Sequence, residues 1–219
     1  MSDLAGREAP KAGLVFVVED DVPVRESLTL LLRVHGYRAE CFGSAEEFLA
    51  LDELARPSCA LVDIRLPGMS GLALQARIRQ GRRGPPVLLM TAQGDAEIAR
   101  TALLQGAADF LEKPIEEDQL LEAVGAALRS DEEQLGRNRE HEALLARMAA
   151  LTRHERELFE RITNGRQSRE IAVELGIPLS ALEAQQGRLM EKLQARRLAD
   201  LFRLRFRIGE QLTATHRSP

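Results

Sequence analysis

"ALVDIRLPGMSG", residues 60–71, is the stretch whose reading decides the fold. An apolar run ends on one aspartate, Asp63. The chain then turns on Pro67-Gly68 and restarts after Ser70-Gly71. A strand that delivers a single carboxylate to the lip of a turn has two uses. The aspartate caps the helix that follows, or it stands at a sheet edge as a ligand or a nucleophile. What the neighbouring strands bring to the same edge separates the two.

Strand and helix signals alternate on both sides of this stretch. "GLVFVV" (13–18) is a β-branched apolar run, and "VPVRESLTLLLRVHG" (22–36) has helical spacing and ends on Gly36. "YRAECF" predicts a strand and "SAEEFLALDEL" a helix, with Ser44 and Glu47 as its capping box. "CALVDI" and "SGLALQARIRQG" form the third pair, "PPVLLMT" and "GDAEIARTALLQGA" the fourth, "DFLEKP" and "EEDQLLEAVGAALRS" the fifth. Short connections and nearly continuous apolar strands predict an α/β fold, a five-stranded parallel doubly wound sheet covered on both faces. The functional crevice of such a sheet lies at the carboxyl ends of its strands.

Composition fits a soluble globular protein, and the length allows one large domain or two small ones. The chain has 219 residues and a net charge of −4. Residues 13–130 carry 12 Lys/Arg against 18 Asp/Glu, whereas residues 137–207 carry 15 against 10, an asymmetry that suggests different partners for the two halves. No stretch approaches the roughly 18 apolar residues of a membrane span, so no membrane partner is expected. The polar start "MSDLAGREAPK" lacks a signal-peptide core, and residues 1–12 read as a disordered leader. Cys41 and Cys59 lie in strand-like segments and are expected to be buried free thiols, which suits a reducing cytoplasm.

Residues 131–150 read as a helical linker that continues the fifth helix or breaks at Gly136. Its Leu144, Leu145, Met148 and Leu151 make an apolar seam that docks on the chain's own domain or pairs as a coiled coil. Residues 151–207 are all-helical. Thr152 and Glu155 form a capping box, and helices close on Gly165 and Gly176. A longer helix carries Leu182, Leu189 and Leu193 on one face, a fourth helix follows, and 208–219 is a tail.

On this scaffold Glu19 and Asp20 follow the first strand, Asp63 ends the third, Thr91 ends the fourth and Lys113 follows the fifth. All five converge on one sheet edge. Crowded carboxylates repel one another, and a divalent cation with oxygen ligands, Mg²⁺, relieves the repulsion. Lys113 adds a mobile positive charge and Thr91 a hydroxyl donor. Nucleophile, metal, cation and donor together suit phosphoryl transfer to a carboxylate.

With "VVEDD", "VDIRLPGMSG", "LLMTAQGD" and "FLEKP", residues 13–130 resemble the receiver domain of two-component response regulators, a flavodoxin-like fold. The resemblance implies that Asp63 accepts phosphate from a sensor histidine kinase. It makes Asp20, Asp63 and the backbone carbonyl of Arg65 the Mg²⁺ ligands, with Glu19 acting through water or from a longer reach. The spacing from Asp20 to Arg25 favours Glu19-Asp20 over Asp20-Asp21 as the acidic pair. Thr91 and Phe110 match the switch pair, Phe110 standing where many receivers carry Tyr. Lys113-Pro114 matches the family's lysine and its cis peptide bond.

"LTRHERELFERITNGRQSREIAVELGI…LEAQQGRLMEKLQARRLADL" resembles the LuxR-type helix-turn-helix domain, so the chain resembles a FixJ/NarL-type response regulator. The implied double-stranded DNA contacts are Arg169, Ser180, Glu183, Ala184, Gly187, Arg188 and Lys192, the last two as phosphate anchors. The recognition helix departs from the family: Ala181 replaces Thr, Gln185 and Gln186 stand at the usual His-Arg, and Gly187 costs the helix roughly 1 kcal/mol relative to Ala. Two functions compete. One is a phosphorylation-controlled transcription regulator acting as a phosphorylation-dependent homodimer in the cytoplasm. The other is a phospho-dependent interaction protein whose helical domain no longer binds DNA. An enzymatic output is not expected, because no nucleotide loop, metal cluster or catalytic triad follows residue 130.

Overall fold

The computed structural model describes residues 13–81, 84–92 and 96–215. The leader 1–12, the end of the tail and the Gly94-Asp95 start of the fourth helix lie outside the described residues. Five strands, β1 (Leu14–Val18), β2 (Arg38–Phe42), β3 (Ser58–Asp63), β4 (Val87–Thr91) and β5 (Asp109–Glu112), form one parallel sheet in the order β2-β1-β3-β4-β5. Helices α1 (Val22–Val34), α2 (Ala45–Leu49), α3 (Gly71–Gln80) and α4 (Ala96–Leu104) connect them, and α5 (Glu117–Ala149) follows.

Strand alternation divides the core in two. Val15 and Val17 of β1, Cys59 and Leu61 of β3 and Leu111 of β5 pack with Leu28 and Leu32 of α1 and Leu120, Val124 and Leu128 of α5. The intervening Leu14, Phe16, Val18, Ala60 and Val62 pack with Phe48 of α2, Leu74 and Ile78 of α3 and Ala102 of α4. The sheet is therefore wound on both faces, which is why β1, β3 and β4 are buried at every position.

Two caps go beyond the sequence expectations: Asp21 caps α1 by accepting the Val24 N–H at 3.1 Å, and Ser70, not Asp63, caps α3 at the Ala73 N–H. Of the local expectations themselves, some hold and some are corrected. Ser44 caps α2, but Glu47 reaches back to the Gly43 N–H at 2.7 Å rather than to that of Ser44. Helix α2 stops at Leu49, and Leu51 and Leu54 reach the core from non-helical backbone. Cys59 is buried as expected. Cys41 is exposed, because β2 is an edge strand with few neighbours on its outer side.

The compact units divide after Gly136, and α5 runs unbroken through that residue. The stretch that begins at Asp131 is not uniformly solvated. Asp131 is buried, takes the Arg56 guanidinium at both carboxylate oxygens and accepts the Ser58 N–H at 2.8 Å. That ties α5 to the start of β3.

The second unit is all-helical: α6 (Arg153–Thr163), α7 (Ser168–Leu175), α8 (Leu179–Leu193) and α9 (Leu198–Thr215). Thr152 and Glu155 make the capping box of α6, and the αL residue Gly176 (φ 64°) ends α7. Leu158, Phe159 and Ile162 of α6, Ile171 of α7, Leu182, Leu189 and Leu193 of α8 and Leu201 of α9 form its core, joined by Leu151 and flanked by Met148. Of the seam, Leu151 and Met148 pack in this unit and Leu144 is also buried, while Leu145 faces solvent.

Candidate functional site

Sheet register builds the site. Val18 pairs with Val62, Asp63 with Met90 and Thr91 with Glu112. The residues Glu19, Asp63, Thr91 and Lys113 therefore end four adjacent rows. The Lys113 N–H donates to the Thr91 carbonyl at 2.8 Å, and the Glu19 N–H to the Phe42 carbonyl at 3.1 Å, so both continue the ladder past their strands. Alternation then sorts the side chains. Glu19, Asp63 and Lys113 share the parity of Val17, Leu61 and Leu111, whereas Thr91 and Phe110 share the opposite one. Thr91 is buried, with its hydroxyl donating to the Ala92 carbonyl at 3.2 Å, and Phe110 is half-buried against the α2–α4 side of the core.

The charged groups interlock. Lys113 Nζ lies 2.6 Å from Asp63 Oδ2 and 2.7 Å from Glu19 Oε2. The other Asp63 oxygen, Oδ1, accepts the Arg65 N–H at 3.0 Å, so both carboxylate oxygens are held. Glu19 Oε1 accepts the Asp21 N–H at 3.3 Å. The Arg25 guanidinium donates to the backbone carbonyls of Glu19 at 2.6 Å and Asp20 at 3.1 Å. Asp21 is occupied as the cap of α1, and it is Glu19 and Asp20 that the structure brings beside Asp63. The ligand oxygens of Glu19, Asp20 and Asp63 lie within 4.8 Å of one another; the first and last are buried and Asp20 is exposed at the mouth. Burial raises the Glu19 pKa and the Asp63 charge adds to this, against the opposing Lys113 hydrogen bond. Burial alone lowers the Lys113 pKa, but its bonds to Asp63 and Glu19 outweigh burial and the net shift is upward.

Sequence reasoning passed over Glu46, whose Oε1 accepts the Met69 N–H at 3.0 Å and so braces the loop after Asp63. Only the positive φ of Gly68 (74°), in a Pro-Gly turn legible in the sequence, hints that this loop closes tightly on a neighbour.

In the helical unit, Arg169, Ser180, Glu183, Ala184, Gly187, Arg188 and Lys192 are all exposed. Those on α8 fall at helical spacing on the side away from Leu182, Leu189 and Leu193. Lys192 is not a free cation: its Nζ lies 2.7 Å from Glu155 Oε1. The two glutamines at the family's His-Arg positions each bond to a neighbouring helix of the unit. Gln185 meets His154 at 2.9 Å, and the buried Gln186 donates to Ser168 Oγ at 3.0 Å.

Two family models match this chain: the response regulator receiver domain over residues 15–125, and the luxR family of bacterial regulatory proteins over residues 149–204. The transcriptional regulatory protein TdiR of Thauera aromatica is 35% identical over 208 residues, covering 95% of this chain and 92% of that protein. The transcriptional regulatory protein FixJ of Bradyrhizobium diazoefficiens is 35% identical over 198 residues, covering 90% and 96%. The structure of the response regulator StyR aligns with a TM-score of 0.79 at 35% identity, over 89% of this chain and 98% of that one. The chain thus belongs to the response regulators that join a receiver domain to a LuxR-family DNA-binding domain, and it is a phosphorylation-controlled transcription regulator.

Proposed function

We propose that Asp63 is the phosphoryl acceptor, that a sensor histidine kinase is the donor, and that the modification controls binding of the helical unit to double-stranded DNA. One observation carries this reading: Asp63 is gripped at both oxygens beside a lysine and two further carboxylates. The oxygen-only donor set fits a hard divalent cation. Asp20, Asp63 and the Arg65 carbonyl would hold Mg²⁺, with Glu19 behind them. When bound, the ion supplies charge neutralisation at the oxygens of the incoming phosphoryl group.

The chain's own residues do the rest. An Asp63 oxygen forms the new bond to phosphorus as the donor's bond to it breaks, and the leaving group keeps that electron pair. Arg65 N–H fixes the carboxylate so that it does not rotate away. The Lys113 ammonium, already shared between Glu19 and Asp63, follows the negative charge onto the phosphoryl oxygens. Thr91 gives up its weak bond to Ala92 and donates to the same oxygens, and Phe110 turns further into the space this leaves. The α4–β5 surface is remodelled and pairs two receivers. Leu103 and Leu104, exposed on α4 at 40% and 79%, supply apolar area for such a contact. No described helix is long and apolar enough to cross a membrane, which suits action in the cytoplasm.

A small-molecule phosphodonor with Mg²⁺ is expected to add one acid-stable, base-labile phosphoryl group, and Asp63→Asn to abolish it. Continued stoichiometric labelling of that variant overturns the assignment.

A further inference from the structure

Helix α8 is fastened to its unit by two different kinds of contact. Leu182, Leu189 and Leu193 are at most 1% exposed and hold it by burial. Burial is non-directional, so it resists separation more than rotation of the helix about its own axis. Rotation matters for a reading helix. Side-chain tips lie about 5–6 Å from a helix axis, so a roll of about 20° moves them by about 2 Å. Base-edge hydrogen bonds tolerate only about 0.5 Å. Gly187 lies on the exposed face, and a Cβ built there meets nothing within 4 Å, so no packing at that point steadies the helix.

Directional contacts are available at the two preceding residues. Gln186, only 9% exposed, donates from Nε2 to Ser168 Oγ at 3.0 Å, and Ser168 is the first residue of α7. Gln185 meets His154 of α6 at 2.9 Å. The Gln186 bond is the shielded one, and a hydrogen bond shielded from water specifies one geometry, because its loss leaves a buried amide unpaired. Both glutamines lie next to Glu183, Ala184, Gly187 and Arg188 in the chain, yet Gln186 is buried and the half-exposed Gln185 bonds across to α6 at the surface.

We infer that Gln186 and Ser168 are a positioning pair that fixes the roll of α8 and thereby the sequence preference of DNA binding. The inference rests on α8 being the helix that reads DNA. Gln186 touches no base in this arrangement. It acts through the orientation of Glu183, Ala184, Gly187 and Arg188.

The test uses the full-length phosphorylated protein, a DNA site obtained by selection and a scrambled duplex, each titrated over a range of salt. Gln186→Leu and Ser168→Ala are expected to lower the ratio of selected-site to scrambled affinity by roughly tenfold each. Affinity for scrambled DNA and the salt slope should stay unchanged, because no charge is altered. The double variant should be no worse than either single one, since both remove the same bond. Ser168→Thr keeps the hydroxyl and should keep the ratio. If Gln186→Leu fails to fold, the Ser168→Ala and Ser168→Thr comparison decides alone. Retention of the ratio in the single variants overturns the inference, and so does an equal loss on both DNAs, which marks a merely structural role. Absence of any salt-dependent binding by the unmutated protein overturns the DNA assignment of α8 itself, and the inference with it.

Discussion

Lys113 is the residue on which the acidic pocket balances. Its ammonium is the cation that Glu19 and Asp63 both contact, and Glu19 is only 1% exposed. Because the Lys113 pKa is raised above 10.5, its contribution to stability is complete at neutral pH and is lost only as pH climbs through the folded value. Glu19 is shifted the other way in stability terms: a raised carboxyl pKa means that ionisation in the folded state carries a cost at neutral pH. Lys113→Met removes the partner and leaves that cost uncompensated, which should destabilise the protein by about 1–3 kcal/mol. The deficit should shrink as pH falls and Glu19 takes a proton. Mg²⁺ should restore more melting temperature to the variant than to the unmutated protein, because it replaces the missing charge. Melting in MgCl₂ and in EDTA checks this, and an equal response of the two proteins counts against a cation in the cluster. A second residue-scale test concerns Glu155, whose carboxyl the Lys192 hydrogen bond, the Thr152 N–H and the Thr152 hydroxyl hold down to about 2 from 4.5. A depressed carboxyl stabilises above its unfolded value and loses that effect as pH falls through the folded one. An NMR titration should therefore find Glu155 ionised through pH 4, and Lys192→Ala should move its midpoint up towards 4.5. An unmoved midpoint would show that the capping box alone sets the shift.

At the scale of elements, the long helix α5 owes its seat to one carboxylate. Asp131 is 2% exposed, and Asp131→Ala leaves the Arg56 guanidinium and the Ser58 N–H without it. Breaking such a buried pair costs about 3–5 kcal/mol, and urea denaturation of the receiver half should show it as an earlier midpoint at constant slope. A loss under about 1 kcal/mol would mean that water replaces the carboxylate there. Asp131 was not legible in the sequence. It opens the run "DEE", which reads as solvated helix surface, and only its distant partners Arg56 and Ser58 reveal its burial. Cys41 misleads for a related reason: an apolar strand pattern does not say which strand lies at the edge of the sheet. The break of α2 after Leu49 was hidden because Leu51 and Leu54 keep an apolar spacing whether or not the backbone is helical. By contrast, the caps at Ser44 and Thr152 and the strand-end carboxylates were readable, since each depends on residues within a few positions of one another. The same locality explains why Glu19, Asp20, Asp63, Thr91 and Lys113 were found together. A parallel sheet with short connections turns order along the chain into neighbours at one edge.

At the scale of the whole molecule, charge is divided: the first half is acidic and the second basic. The basic excess is thin where α8 would meet DNA. Glu183 and Glu191 offset Arg188, and Lys192 is already paired with Glu155. Phosphate neutralisation supplies most of the affinity of DNA-binding proteins, so a single copy with few free cations should bind weakly. Joining two copies raises the effective concentration of the second reading helix without any new contact to DNA. Phosphorylation of Asp63 should therefore act on affinity through pairing of receivers, and a selected site should contain two half-sites about one helical turn apart. Sedimentation should show the mass double on full phosphorylation, and salt titration should show the phosphorylated protein binding far more tightly than the unphosphorylated one. Arg188→Ala should weaken binding to all sequences and reduce the salt slope by about one unit per bound copy. Glu183→Ala should relax sequence preference with little change in slope, because it removes a base-edge acceptor rather than a cation. If the phosphorylated protein stays a monomer well above micromolar concentration and yet binds its site tightly, pairing is not the route of the signal. The thin charge of α8 would then have to be made good by arginines outside it, with Arg169 at the start of α7 the first to substitute.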